Sequence, residues 1–440
     1  MNEFNMTESL KNYFRDLPVK DVLIIFFTAF FVRIISMMLF GSNNLIGPDS
    51  GEYDTYAVNL LKDCYFHYGN VRAFRAPLYP FFISMIYFLF GHSYIPVKLI
   101  QCFLGSLTCV LVFLIGFEIT NRKIASIAGF IACFYFALFD NSAYISTETL
   151  FTFLLALSVL LIYRSGWSNI VPLISGISIG LSALTRPTTL ILPPLAAVWF
   201  FVCYNFRKAF LYSLILFLGF FAVLTPWAIR NYKLFSAFIP VNIQSGTVFW
   251  AGNNQWSNGR VNQENLGSAK YDSLTEFERD KAYFSEGLRW LKSQSAFSLF
   301  KLYSLKFVSV LYPFLPEFKT MSGSDFFYKY DPTFGFVIPF WIYGMYICLV
   351  SKNKNSILMF AVLSIFVFSS LMFYGGDTRF RTAYSPYVAI FAAMGISNLL
   401  SRFYGRNIIF IWGAANIAIF YFSQYIYASL YSVIWKIRGL

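Results

Sequence analysis

The stretch GPDSGEYDTYAVNLLKDCYFHYGNVRAFRAPLYP, Gly47–Pro80, decides how the chain is read. It is a polar island with carboxylates at Asp49, Glu52, Asp54 and Asp63 and arginines at Arg72 and Arg75, closed by Pro77-Leu78-Tyr79-Pro80. Around it the chain is apolar. Of 440 residues 58% are hydrophobic, 21% are aromatic and 12% are charged, against about 25% charged in soluble domains. This composition excludes a soluble enzyme and points to an all-α, polytopic membrane protein. The net charge of +13 has two readings. It is the positive-inside bias of cytoplasmic loops, or it also serves an anionic lipid or phosphate-bearing substrate.

Val22–Phe40 is long enough to span, since a bilayer takes about 20 residues, and Arg33 within it must face protein or snorkel. Lys11, Arg15 and Lys20 precede it, so the N-terminus is expected in the cytoplasm, the run is read as an uncleaved anchor, and Gly47–Pro80 starts on the opposite side. Inside the island, Tyr53, Tyr56, Ala57, Leu60 and Leu61 share one helical face. This predicts a short amphipathic helix over 52–63, lying flat on the membrane with Asp49 at its N-terminal end. Residues 78–91 are too short to span and read as interfacial or re-entrant.

Further spans are expected over 95–117, 124–139, 149–163, 170–184, 188–204, 209–228, 335–350, 356–374, 382–400 and 407–428, with Ala296–Pro316 dipping into or crossing the bilayer. The basic clusters at Arg122-Lys123, Arg164, Arg207-Lys208, Lys352–Lys354 and Arg402–Arg406 then all fall inside. The count is about eleven to thirteen transmembrane helices. Three regions follow: a transmembrane module over 1–228 carrying the first loop (41–94), an extracytoplasmic region over 229–333, and C-terminal helices over 334–440. No inverted repeat stands out, which weakens a transporter reading. Six scattered cysteines form no disulfide framework or zinc spacing, and two histidines do not suffice for a His-based metal site.

This topology leaves a set of polar residues outside: Asp49, Glu52, Asp54, Arg72, Arg75, Asp140, Glu148, Arg186, Arg230, Asp377, Arg379 and Arg381. Carboxylates and arginines gathered at one membrane face suit group transfer from a lipid-linked phosphate. A carboxylate takes a proton from the acceptor, and arginines stabilise the charge growing on the leaving phosphate. Each residue also has a plainer role. Asp49 with Glu52 matches a capping pair, Asp140 and Glu148 suit a loop or helix start, Arg186 suits a loop between spans, and Arg379 and Arg381 suit headgroup anchors.

The segments PDSGEYDTYAVNLL, RAPLYPFF and LFGHS resemble the first extracytoplasmic loop of GT-C polyprenyl-phosphate-sugar glycosyltransferases. These include the protein mannosyltransferases and the lipid A aminoarabinose transferases. The resemblance continues through Leu184–Pro187, Thr225–Asn231, Gly252–Asn254, Glu278–Tyr283 and Gly376–Tyr387. It implies a GT-C fold with juxtamembrane helices in the first loop and a small extracytoplasmic region. It implies Asp49 as the base of an inverting displacement, with Arg75, Arg379 and Arg381 near the lipid phosphate. Ser50 stands where many members carry a second acid, with Glu52 one turn on, so the acceptor type stays open. The function expected is transfer of a sugar from a polyprenyl-phosphate donor to a protein, lipid or glycan acceptor at the extracytoplasmic face of the plasma membrane. Asp49 and Glu52 are the catalytic candidates, and Tyr53, Arg75, Asp140, Glu148, Arg186, Arg230, Arg379 and Arg381 the substrate-binding ones. No cofactor is assigned, a divalent metal stays open, and no nucleic-acid partner is expected. A polymerase or ligase using pyrophosphate-linked donors, and a lipid-sugar flippase, are the rival readings.

Overall fold

A backbone in hydrocarbon must satisfy its own hydrogen bonds, so apolar runs of this length become helices. The computed structural model describes residues 18–40, 44–45, 49–257, 271, 273–311, 331–373, 378–402, 412–414 and 416–417. Lys11, Arg15, Gly47, Pro48, Asp377, the Arg379 side chain and most of the span expected over 407–428 lie outside the described residues. Among the described residues every regular element is a helix, apart from one isolated bridge between Tyr68 and Val71.

In chain order these are α1 (Val19–Phe40), α2 (Ser50–Asp63), α3 (Leu78–Phe90), α4 (Tyr94–Ile119), α5 (Arg122–Phe134), α6 (Phe136–Asp140), α7 (Glu148–Tyr163), α8 (Ile170–Thr185) and α9 (Leu192–Cys203). They continue with α10 (Phe206–Phe235), α11 (Ser245–Gly252), α12 (Glu276–Ser293), α13 (Ala296–Leu311), α14 (Pro332–Val350), α15 (Ile357–Met372), α16 (Thr378–Thr382) and α17 (Ser385–Arg402). By length and composition five of the described helices can cross a membrane: α1, α4, α10, α14 and α15. Four shorter apolar ones accompany them, at Leu78–Phe90, Glu148–Tyr163, Ile170–Thr185 and Pro187–Cys203. Residues 382–400, expected as a span, form α16 and α17, which do not meet that criterion. Helix α10 runs unbroken past the boundary expected at 228 to Phe235.

The span expected over 124–139 is two helices bent by 60°. The chain leaves the helix at Tyr135, and the Phe136 amide instead donates to Thr333 Oγ1 at 2.9 Å. Arg33 supports the same break. Its guanidinium, fully buried, donates to Leu138 O at 3.4 Å, Ala29 O at 3.1 Å and Cys109 Sγ at 3.2 Å. Arg33 therefore faces protein, not lipid.

Helix ends sort into two sets. Asp21 takes a forked contact from Arg122 at 2.8 and 3.0 Å, Arg164 reaches Glu118 at 2.7 Å, and Tyr163 Oη reaches Asn355 O. These mark the end at which α4 and α7 finish and α5 and α15 begin. Glu148 and Arg186 meet at the opposite end, where α7 begins and α8 finishes.

Small residues let the helices touch backbone to backbone, as membrane helices do. A Cβ on Gly176 of α8 would stand 2.0 Å from Leu216 O of α10, and one on Gly219 2.3 Å from Leu173 O. Neither can gain a methyl group without parting the two helices. Lys306 of α13 is fully buried and donates to Asn253 Oδ1 at 2.8 Å and Leu371 O at 2.9 Å, joining the ends of α11 and α15. Burial pushes its ammonium down to about 7.

Two outcomes are expected. Gly176→Ala forces an overpacking that costs about 1–3 kcal/mol, so its thermal unfolding midpoint in detergent falls, whereas Ile174→Ala, on the exposed face of α8, leaves it nearly unchanged. Between pH 7 and 10 the unfolded chain protonates Lys306 more than the folded one does, so stability rises with pH in that window. Lys306→Met should flatten that rise between pH 7.5 and 9, measured as the same midpoint.

Candidate active site

Helix α2 is placed by aromatic packing. Tyr53 and Ala57 pack with Tyr79, Ile83, Ile86 and Tyr87 of α3 and with Ile145, Leu150 and Leu154. The Tyr53 and Tyr79 rings meet edge to face at 5.0 Å. Tyr56 stacks on Phe66 at 4.4 Å. Each large apolar side chain buried contributes about 1.5–3 kcal/mol, more than the ~0–1 kcal/mol of an exposed ion pair, so this contact anchors the helix. It also corrects the expected placement. The first two turns of the apolar face are spent on protein rather than lying on a membrane surface, and only the tip, at Leu61, is exposed.

Asp49 stands immediately before α2, and its side chain makes no cap hydrogen bond. It accepts instead from Arg75 Nη2 at 2.9 Å, while Arg75 Nε donates to Glu52 Oε2 at 2.7 Å. The plainer reading of Asp49 and Glu52 as a capping pair thus gives way to a shared guanidinium. The Arg75 side chain is 11% exposed, and those of Asp49 and Glu52 are 27% and 30% exposed. The arginine is sealed below and the carboxylates are open above. Arg75 also lies over the rings of Tyr53 at 5.3 Å and Phe74 at 5.1 Å. Burial opposes its charge, but Tyr53, Asp49 and Glu52 outweigh that and hold its pKa above the ordinary value. Burial raises the Tyr53 phenol, which also feels the charges of Arg75, Asp49, Arg186 and Glu148.

A second pair lies within that reach. Arg186 Nη2 donates to Glu148 Oε1, and its Nε donates to Thr147 Oγ1 at 2.9 Å. Glu148 is 2% exposed. Arg186 also sits over the rings of Phe151 at 5.7 Å and Phe380 at 5.8 Å. Through Phe380 the late segment α16 reaches this end of the bundle. Arg381, next along it, turns inward. It is 2% exposed, lies 4.2 Å from the Phe334 ring and reaches Ser309 O at 3.5 Å. Asp331, which caps α14 through Thr333 and Phe334, feels its charge. Asp140 accepts from Tyr144 Oη at 3.3 Å. The contacts described for Arg381 and Asp140 are thus with Ser309, Phe334 and Tyr144.

Arg230 is a tether. It donates to Arg72 O at 2.8 Å and Phe66 O at 3.1 Å and stacks 4.5 Å from the Trp227 ring. The loop it holds leads straight to Arg75. Glu276, the first residue of α12, grips the same loop from the other side, accepting from Arg72 N at 2.9 Å and Ala73 N at 3.1 Å. Ile243 N donates to Ala73 O at 2.7 Å, and Asn242 Nδ2 to Phe74 O at 2.9 Å. Glu276 is absent from the sequence-derived candidates. The only local signal was the Thr275-x-x-Glu278 box that starts its helix.

Residues 74–229 match the sequence model of the dolichyl-phosphate-mannose-protein mannosyltransferases. An uncharacterized protein of Aquifex aeolicus is 30% identical over 138 residues, which are 30% of this chain and 28% of that protein. Archaeal oligosaccharyltransferase AglB from Archaeoglobus fulgidus, solved with an inhibitory peptide and a dolichol-phosphate, superposes with a TM-score of 0.57 at 15% identity over 96% of this chain. The chain spans 56% of that protein's length. ArnT from Cupriavidus metallidurans, solved with undecaprenyl phosphate, superposes at 0.42 with 13% identity, covering 86% of this chain and 78% of ArnT. The chain is thus similar in sequence to the mannosyltransferase model over residues 74–229, and it shares the fold of AglB over nearly its whole length.

Proposed function

We propose that the protein is a membrane glycosyltransferase that moves a sugar from a polyprenyl-phosphate donor to an acceptor hydroxyl or amine, with inversion, at the extracytoplasmic face of the plasma membrane. The observation that carries this reading is the knot of Asp49, Glu52 and Arg75: two accessible carboxylates held on one sealed guanidinium. The family match over 74–229 supports it, since that match includes Arg75 and Arg186.

In this reading Asp49 is the base. It takes the acceptor's proton as the acceptor oxygen or nitrogen attacks the anomeric carbon. The bond from that carbon to the phosphate oxygen breaks, and the polyprenyl phosphate leaves with the bonding pair. Arg75 fixes the orientation of Asp49 and Glu52, and its positive charge lies where the phosphate's charge grows. Arg186 and Tyr53, adjoining the knot, line the donor side. Arg230 acts through the loop it tethers. Glu148 holds Arg186.

The experiment is turnover in liposomes with labelled polyprenyl-phosphate sugars and, in parallel, pyrophosphate-linked ones. Asp49→Asn should lower turnover by about 100- to 10,000-fold, the usual worth of a positioned base, with donor binding kept within a few-fold. Full turnover by Asp49→Asn removes Asp49 from the base's role, and turnover only with pyrophosphate-linked donors overturns the donor class.

A further inference from the structure

We propose that Glu276 is the positioning residue for Arg75, so that α12, outside the segment matched to the mannosyltransferase family, sets the geometry of the two carboxylates. The proposal rests on the reading of Asp49 and Arg75 as the reacting site.

The loop 72–74 is held at every turn by groups distant in sequence. Its Arg72 and Ala73 amides go to the Glu276 carboxylate, and its three carbonyls go to Arg230, Ile243 N and Asn242. Arg230 stands one residue past the end of the matched stretch, and Glu276 lies well beyond it. Glu276 is the only carboxylate among the described residues that takes these amides. A carboxylate accepting two successive backbone N–H groups fixes position and direction together, because its two oxygens lie in one plane. Ala73 itself packs in a small apolar cluster with Ile239 and Ile243, with Phe277 beside it. Only two residues lead from Ala73 to Arg75, a reach of at most about 7 Å. Little slack is available over that distance, so a shift of Ala73 appears at the guanidinium.

Helix α12 is itself built to hold still. Thr275 and Glu278 close a capping box at its start. Asp280, one turn on, accepts from Gly246 N at 2.9 Å and Thr247 N at 2.8 Å, locking α12 to the first turn of α11. A Cβ on Gly246 would stand 1.9 Å from Asp280 O. The line of force runs from α11 through α12 and Glu276 to the 72–74 backbone, then to Arg75, Asp49 and Glu52.

The test is a double-mutant cycle on turnover with a mannosyl polyprenyl phosphate donor in liposomes, reading kcat and donor KM separately. Glu276→Ala should lower kcat about tenfold with donor KM within twofold, and Glu276→Gln, which keeps one acceptor oxygen, should recover part of the loss. Arg75→Ala with Glu276→Ala should be no slower than Arg75→Ala alone. Multiplying losses, or an unchanged kcat in Glu276→Ala, overturn the proposal. A second arm needs no turnover: amide hydrogen exchange of segment 70–76, by mass spectrometry in detergent. Glu276→Gln should speed exchange there and leave α8 and α10 as before. Should no sugar donor be turned over by the parent protein, the glycosyltransferase reading fails, and this arm alone decides the positioning. Unchanged exchange then overturns it.

Discussion

The guanidinium of Arg75 is the joint on which this end of the molecule depends. A charge sealed from water needs partners, or it costs more than its contacts return. Arg75 finds two carboxylates on one helix, and two rings supply its remaining faces. Because those carboxylates are themselves open to the exterior, the arrangement stores charge where a ligand can compete for it. The aromatic contact between α2 and α3 supplies the rigidity that the ion pairs cannot.

The same demand for partners shapes the bundle's interior. The bend after Tyr135 frees backbone groups at membrane depth, and the chain satisfies them with Thr333, Asn141 and Arg33. Arg33 is therefore a structural arginine, close-packed against Gly105, where a Cβ would meet its Nε at 2.6 Å. Polar groups within the bundle repair the backbone, whereas Asp49 and Glu52 of the first loop stay partly exposed. This division separates the charged residues that keep the fold from those available for chemistry.

The long spans were legible because α1, α4, α10, α14 and α15 are plain apolar runs. The bend between α5 and α6 was not, because Phe134, Tyr135 and Phe136 are as apolar as their neighbours and the deciding hydroxyl lies at Thr333. The polar island and the period of α2 could be read from Tyr53, Tyr56 and Ala57, but not what would cover that face. A membrane surface and Tyr79 make the same demand on a pattern. Asp49, Glu52 and Arg75 stood out as candidates by type and place. That one guanidinium joins both acids is a tertiary fact. Arg230 looked like a phosphate ligand by charge alone, and its carbonyl partners at Phe66 and Arg72 give it another task. Glu276 was invisible because its partners are backbone amides about two hundred residues away, which carry no signature in side-chain type.

Helix α10 has thirty residues, or about 45 Å at 1.5 Å per residue. A hydrocarbon layer is about 30 Å thick. If Arg207 and Lys208 mark one interface, Arg230 rises about 35 Å above them, several ångströms beyond the far edge of the oil. Bonded there to Phe66 O and Arg72 O, it works as a depth gauge. On that placement the rod's overhang would set the first loop at the level of the phosphate headgroups, and adding or removing a helical turn below Pro226 would raise or sink that loop by about 5 Å.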